Sequence, residues 1–104
     1  MAARVLVELS ASEQDNQRRF GCSVAESVVR CYVMAQEAKA CGDALTVAIL
    51  DVANAELERV AQLSGALIDA GCSAIRFHDV GELESELRLA LQRARIADDR
   101  IEIR

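Results

Sequence analysis

The segment that most constrains this chain is Leu45-Thr46-Val47-Ala48-Ile49-Leu50-Asp51-Val52, which is apolar on both of its faces. A strand with one wet face alternates polar and apolar residues. A strand that is apolar throughout marks the middle of a parallel sheet. Parallel neighbours need long crossovers, usually helical, and the flanking sequence supplies them. Arg4-Val5-Leu6-Val7-Glu8-Leu9 reads as a first strand with Val5, Val7 and Leu9 on one face. Val24 to Cys41 has helical period, with Val24, Val28, Cys31, Ala35 and Ala38 in one stripe and Gly42 as its stop. Asn54 is placed to cap a second helix, whose inner face holds Leu57, Val60, Ala61, Ser64, Leu67 and Ile68, with Gly71 at its end. Gly65, inside that helix, reads as a point of close approach to a neighbour.

Ser73 to His78 reads as a third strand, and Asp79 with Glu82 as the capping box of a third helix that turns Leu83, Leu87, Ala90, Leu91 and Ala94 inward. Glu84 and Arg88 stand one turn apart on its outer side. Arg100 to Arg104 alternates as a closing strand. The order β-α-β-α-β-α-β predicts an α/β fold: a single small domain over 1–104, a four-stranded, mostly parallel sheet packed with three helices. Arg76, His78, Arg100, Glu102 and Arg104 fall opposite the apolar faces of the last two strands, which predicts a sheet edge or an open face there, suited to a homodimer.

With 104 residues and 52% apolar content, the chain can bury a core without disulfides or metal. Its net charge of −5, without a basic cluster longer than Arg18-Arg19, argues against nucleic acid. No apolar run approaches the roughly 20 residues of a membrane span, and Met1-Ala2-Ala3-Arg4 runs straight into a strand without a signal peptide. Cys22, Cys31, Cys41 and Cys72 form no C-x-x-C, and His78 is the lone imidazole, so no metal and no cofactor is expected. Unpaired cysteines of this kind fit a reducing, cytoplasmic setting. Eleven of the twelve basic residues are Arg, which points to a GC-rich, bacterial genome.

In an open parallel sheet, ligands bind beyond the carboxyl ends of the strands. Those ends are Ser10, Asp51 and His78, with Asp79 next in line. A Ser–His–Asp triad can be drawn from them, but Ser10 lacks the G-x-S-x-G elbow that exposes a nucleophile. Ser10, Ser12, Ser23, Asn54 and Asp79 are also ordinary N-cap types at expected helix starts. A second candidate gathers Arg18, Arg19, Cys22 and Ser23 at the start of the long helix, where the helix dipole favours an anion or a thiolate. Cys22 packing beside Phe20 is the alternative reading. Gly21 to Arg30 resembles the loop-to-helix segment of low-molecular-weight tyrosine phosphatases, but their Cys and Arg are separated by five residues, and Val28 stands where that Arg belongs. Neither G-x-x-x-x-G-K-[ST] nor G-x-G-x-x-G occurs. Ser10 to Gly21, dense in hydrogen-bonding groups, is either a long binding loop with a helical turn or an extension of the first helix.

Two functions remain open on these grounds. The favoured one is a non-enzymatic interaction or regulatory module, acting through self-association as a homodimer or by docking a protein partner. The other is a small anionic-ligand-binding protein or thiol-dependent enzyme, with its site at the N-terminus of the long helix.

Overall fold

A computed structural model describes residues 3–103. The elements are β1 (Arg4–Ser10), α1 (Glu13–Phe20), α2 (Val24–Ala40), β2 (Thr46–Asp51), α3 (Leu57–Asp69), β3 (Ala74–His78), α4 (Glu84–Arg93) and β4 (Ile101–Ile103), with short 3-10 turns at Gly81–Leu83 and Asp98–Arg100. All strand pairs are parallel and the sheet order is β1-β2-β3-β4. The α/β architecture expected from the sequence is present, with four helices rather than three. The additional helix, α1, occupies the polar stretch after β1.

Two of the expected caps form as hydrogen bonds. Ser12 Oγ accepts from the Asp15 N–H at 3.3 Å and opens α1. Ser23 Oγ accepts from the Glu26 N–H at 3.0 Å and opens α2. Acidic residues in the first turn of α1 and Arg18 and Arg19 in its last suit the helix dipole. Gly21, at φ 70°, ends it.

Every crossover advances by one strand in the same direction. With the usual right-handed connection, this puts the helices on one face of the sheet, and α2 packs against α3 and α3 against α4. Facing them, two rows run across the strands in register: Val7, Ala48, Ile75 and Ile101, then Leu9, Leu50, Phe77 and Ile103. Against these rows the helices bury Val24, Cys31, Ala35, Val60, Leu67, Leu87 and Leu91.

Among the described residues, α2, α3 and α4 leave the opposite face uncovered, and α1 reaches only its rim, through Arg19 at Glu8 and Asp51. That face presents Glu8 and Ser10 from β1, Val47, Ile49 and Asp51 from β2, Ala74, Arg76 and His78 from β3, and Glu102 from β4. None of these joins the core cluster. The second apolar face of β2 therefore has a cause other than a second helix layer. Sequential parallel strands with all helices on one side are the arrangement by which a β/α barrel turns one sheet face inward and the helices outward.

Several local expectations change. The register slips between Val5 and Val7, so Leu6 and Val7 are both buried while Val5 is 43% exposed. This bulge breaks the simple alternation of β1. Asn54 does not cap α3: it sits at φ 60°, and Glu56 holds the cap position without a side-chain bond. Asp79 does not cap α4: it too sits at φ 60°, a 3-10 turn follows, and Leu83 precedes the helix. Close approach occurs at Gly71, where an added Cβ would lie 2.8 Å from Ala35 Cβ, and not at Gly65, which has nothing within 4 Å. On α4, Leu87 and Leu91 are buried, but Leu83, in the turn before it, is 40% exposed. Of the charged residues opposite the apolar faces, Arg76 and Glu102 pair with each other on the helix-free face, and Arg104 lies outside the described residues.

Candidate active site at the carboxyl ends of the strands

Ser10, Asp51 and His78 stand in one register row across β1, β2 and β3. The pattern of strand ends places them together because parallel strands deliver all their carboxyl termini to one rim. Ser10 is buried, and its Oγ accepts from the Ser12 N–H at 3.2 Å, so the hydroxyl serves the turn after β1. Asp51 is the hub of the row. Its Oδ1 accepts from the Ala53 N–H at 2.9 Å, and its Oδ2 takes a 2.6 Å bond from Arg19 Nη1. Arg19 Nη2 lies 3.6 Å from Glu8 Oε1, so one guanidinium from α1 spans carboxylates on two strands. The Phe20 ring centroid lies 4.9 Å from the same guanidinium.

Asp79 completes the arrangement, although the strand pattern reads it as a cap. Its carboxyl acts on that of Asp51, and the two shift in opposite directions. Burial alone would raise the Asp51 carboxyl, but the Ala53 N–H, Asp79 and Arg19 together hold it below its ordinary range. Asp79 is raised by its bond to Asp51, then by the charge of Asp51 and by burial, while His78 and Arg19 pull it down. As pH falls, the pair takes its proton on Asp79. Both Asp79 and Asn54 hold φ near 60°, a left-handed conformation that short polar side chains tolerate and most others do not. Such residues cluster at functional sites. Asn54 Nδ2 donates to Asp15 Oδ2 at 3.1 Å and ties α1 to the rim.

The other sequence candidates do not converge. Arg18 turns outward and pairs with Asp15 at 2.9 Å. Ser23 is the cap of α2. Cys22 is buried, with Sγ 3.5 Å from Ser27 Oγ. The first turn of α2 already has an anionic occupant, because Glu13 Oε1 accepts from the Val24 N–H at 3.0 Å. An incoming anion would have to displace a carboxylate of the same chain. At the helix start where the sequence suggests a ligand or thiol site, a carboxylate of the same chain lies on the first turn and the thiol is enclosed.

Sequence pattern also passes over Asn16. Its only signal is membership of a polar stretch, yet it is fully buried. A 640 Å³ surface groove along α4, lined by Arg88, Leu89, Ile96 and Asp98 among others, gathers no comparable set, since Arg88 is paired with Glu84. Among the described residues, no three His, Cys, Asp or Glu side chains are placed to hold a metal ion, and no helix is long and apolar enough to cross a membrane.

Sequential parallel strands with helices on one face and ionisable groups at the carboxyl rim are an arrangement that β/α barrels share. No family model matches the chain, and no curated protein matches it. Solved structures do. It is similar to hydroxymethylglutaryl-CoA lyase from Pseudomonas aeruginosa, with a TM-score of 0.80 and 19% identity, over 92% of this chain and 35% of that one. The HMG-CoA lyase from Brucella melitensis gives 0.78 and 20%, over 98% and 40%. The Bacillus subtilis HMG-CoA lyase gives 0.67 and 20%, over 92% and 44%. The chain thus spans less than half the length of each, and at such identity the likeness is one of fold.

These neighbours overturn the expectation of a non-enzymatic interaction module, because the fold shared is that of enzymes. The charged strand face that prompts the dimer reading is the helix-free face of the β/α array, where Arg76 meets Glu102 at 3.6 Å.

Proposed function

We propose that this chain supplies the acid–base rim of a barrel-type lyase acting on a hydroxyacyl thioester of the hydroxymethylglutaryl-CoA class. The observation that carries the reading is the placement of Asp51 and Asp79 at the ends of adjacent parallel strands, with Arg19 Nη1 held 2.6 Å from Asp51 and the two carboxyls shifted in opposite directions. Pairs whose environments push them apart can divide acid and base roles. Cleaving a carbon–carbon bond beside a hydroxyl needs both. The ionised carboxylate of Asp51 takes the hydroxyl proton, the O–H electrons form the new carbonyl, and the broken C–C bond leaves its pair on the thioester α-carbon. Asp51 hands the proton it removed to Asp79 beside it, and that carbon takes the proton from Asp79. Arg19 keeps Asp51 charged until substrate arrives, and His78 borders the pair.

The substrate class comes from the structural neighbours, whose names specify hydroxymethylglutaryl-CoA. With a net charge of −5, nucleic acid stays outside this reading. Cysteines that are all free favour a cytoplasmic setting for it.

The test is to incubate the protein with hydroxymethylglutaryl-CoA and follow its loss by mass spectrometry. Asp51→Asn and Asp79→Asn should each lower the rate by roughly 10²–10⁴-fold, the usual contribution of a positioned acid or base, with the circular dichroism spectrum unchanged. Absence of turnover in the wild type, or turnover indifferent to both substitutions, refutes the proposal.

A further inference from the structure

Asn16 is fully buried in the most polar stretch of the chain, and it is the buried residue of α1. Its Oδ1 accepts from the Ser10 N–H at 2.8 Å, and its Nδ2 donates to Cys22 O at 2.9 Å and to Ser27 Oγ at 3.1 Å. One amide thus joins the last residue of β1, the connection between α1 and α2, and the first turn of α2. α1 has almost no apolar surface with which to hold itself in place. Its side chains otherwise reach the strands and α3 through exposed polar contacts, such as Asp15 with Asn54, and Glu13 with Arg59 at 3.8 Å. Exposed pairs of that kind contribute little. A buried amide with both ends engaged contributes more, because freeing any of its partners leaves a desolvated polar group.

Arg19 stands three residues further along α1, on the neighbouring turn. Its 2.6 Å contact with Asp51 and its 3.6 Å approach to Glu8 both depend on where α1 lies over the rim. We propose that Asn16 is the positioning residue of the rim: it fixes α1 so that the Arg19 guanidinium meets Asp51. The functional meaning of this assignment rests on the acid–base reading above, but the contact it describes can be measured without turnover. The groups that face Asp51 are Arg19 from α1, Glu8 from β1, His78 from β3 and Asp79 just beyond it, together with the Ala53 N–H. Of these, only Arg19 is moved by a displacement of α1.

The experiment follows the side-chain carboxyl carbons of Asp51 and Asp79 by NMR through an acid titration, in the wild type, Asn16→Ser, Arg19→Gln and the double variant. Low temperature and an excluded osmolyte keep weakened chains folded. Leu87→Ala, a core truncation on α4, serves as the control for lost stability alone. Asn16→Ser should raise the Asp51 midpoint in the same direction as Arg19→Gln, and the double variant should titrate like Arg19→Gln by itself, since the two act through one contact. The assignment is overturned if Asn16→Ser behaves as Leu87→Ala should, melting earlier with Asp51 unmoved. It is equally overturned if the Asn16→Ser shift persists in full without Arg19. Failure to turn over hydroxymethylglutaryl-CoA would sink the lyase reading and leave this result standing.

Discussion

Two glycine-to-alanine substitutions, at Gly71 and Gly65, should change stability in opposite directions. Gly71 holds φ 118°, a conformation L residues rarely adopt, and a Cβ there would stand 2.8 Å from Ala35 Cβ. The backbone strain alone costs on the order of 1–3 kcal/mol. The steric cost is of similar size, because Ala35 sits on the buried face of α2 and cannot give way without moving the helix. Gly71→Ala should therefore cost about 3 kcal/mol, lowering the melting temperature by roughly 15 °C for a chain of this size. Gly65 lies inside α3 with nothing within 4 Å of an added Cβ. Gly65→Ala should stabilise by about 0.4–1 kcal/mol through the unfolded chain's lost freedom, a rise of about 4 °C. Thermal melts and urea titrations followed by circular dichroism measure both. Adding Ala35→Gly to Gly71→Ala should recover the steric part and leave the strain, less about 1 kcal/mol for a glycine inside a helix. If Gly71→Ala melts with the wild type, the turn before β3 does not press on α2, and neither the strain nor the clash holds.

Asp79→Asn tests the carboxyl pair through pH. A folded-state value raised above the ordinary one means that the stability tied to Asp79 is fully present below the ordinary carboxyl range and is lost as pH rises through the raised value. The substituted amide cannot ionise, and asparagine suits φ 60°. The variant should therefore melt above the wild type near neutrality and coincide with it in acid; a lower melting point near neutrality would contradict the pairing. Thiol chemistry offers a separate check. Cys41 is exposed, while Cys22, Cys31 and Cys72 are buried, and a hydrogen bond to Cys31 together with burial pushes the Cys72 thiol strongly upward. A chromogenic disulfide reagent should react quickly with one thiol per native chain and with the other three only on unfolding; rapid labelling mapped to Cys22 would reinstate a reactive helix-start thiol.

What can be read in the sequence divides along physical lines. The strands are legible because an unbroken apolar run such as Val47 to Leu50 fits little besides a buried strand, and once strands are parallel their carboxyl ends must share a rim. Ser10, Asp51 and His78 therefore fall in one row. The side on which each helix packs is not legible, since periodicity gives a stripe and no direction; the apolar second face of β2 suits an interior barrel face as well as a second helix layer. The bulge between Val5 and Val7 adds a residue without changing composition. Asn54 and Asp79 mislead because a short polar side chain suits an N-cap and a left-handed turn for the same reason, its ability to bond nearby backbone groups. Arg19 and Asn16 are hidden for different reasons. Arg19 meets Asp51 across 32 residues of chain, and no local pattern reports such a contact. Asn16 looks like a solvated residue until the amide and carbonyl groups that need it, at Ser10 and Cys22, are brought within its reach. Both belong to the segment where local preference is weakest. There, structure is set by long-range polar partners rather than by apolar period, so the site is least legible where α1 closes over it.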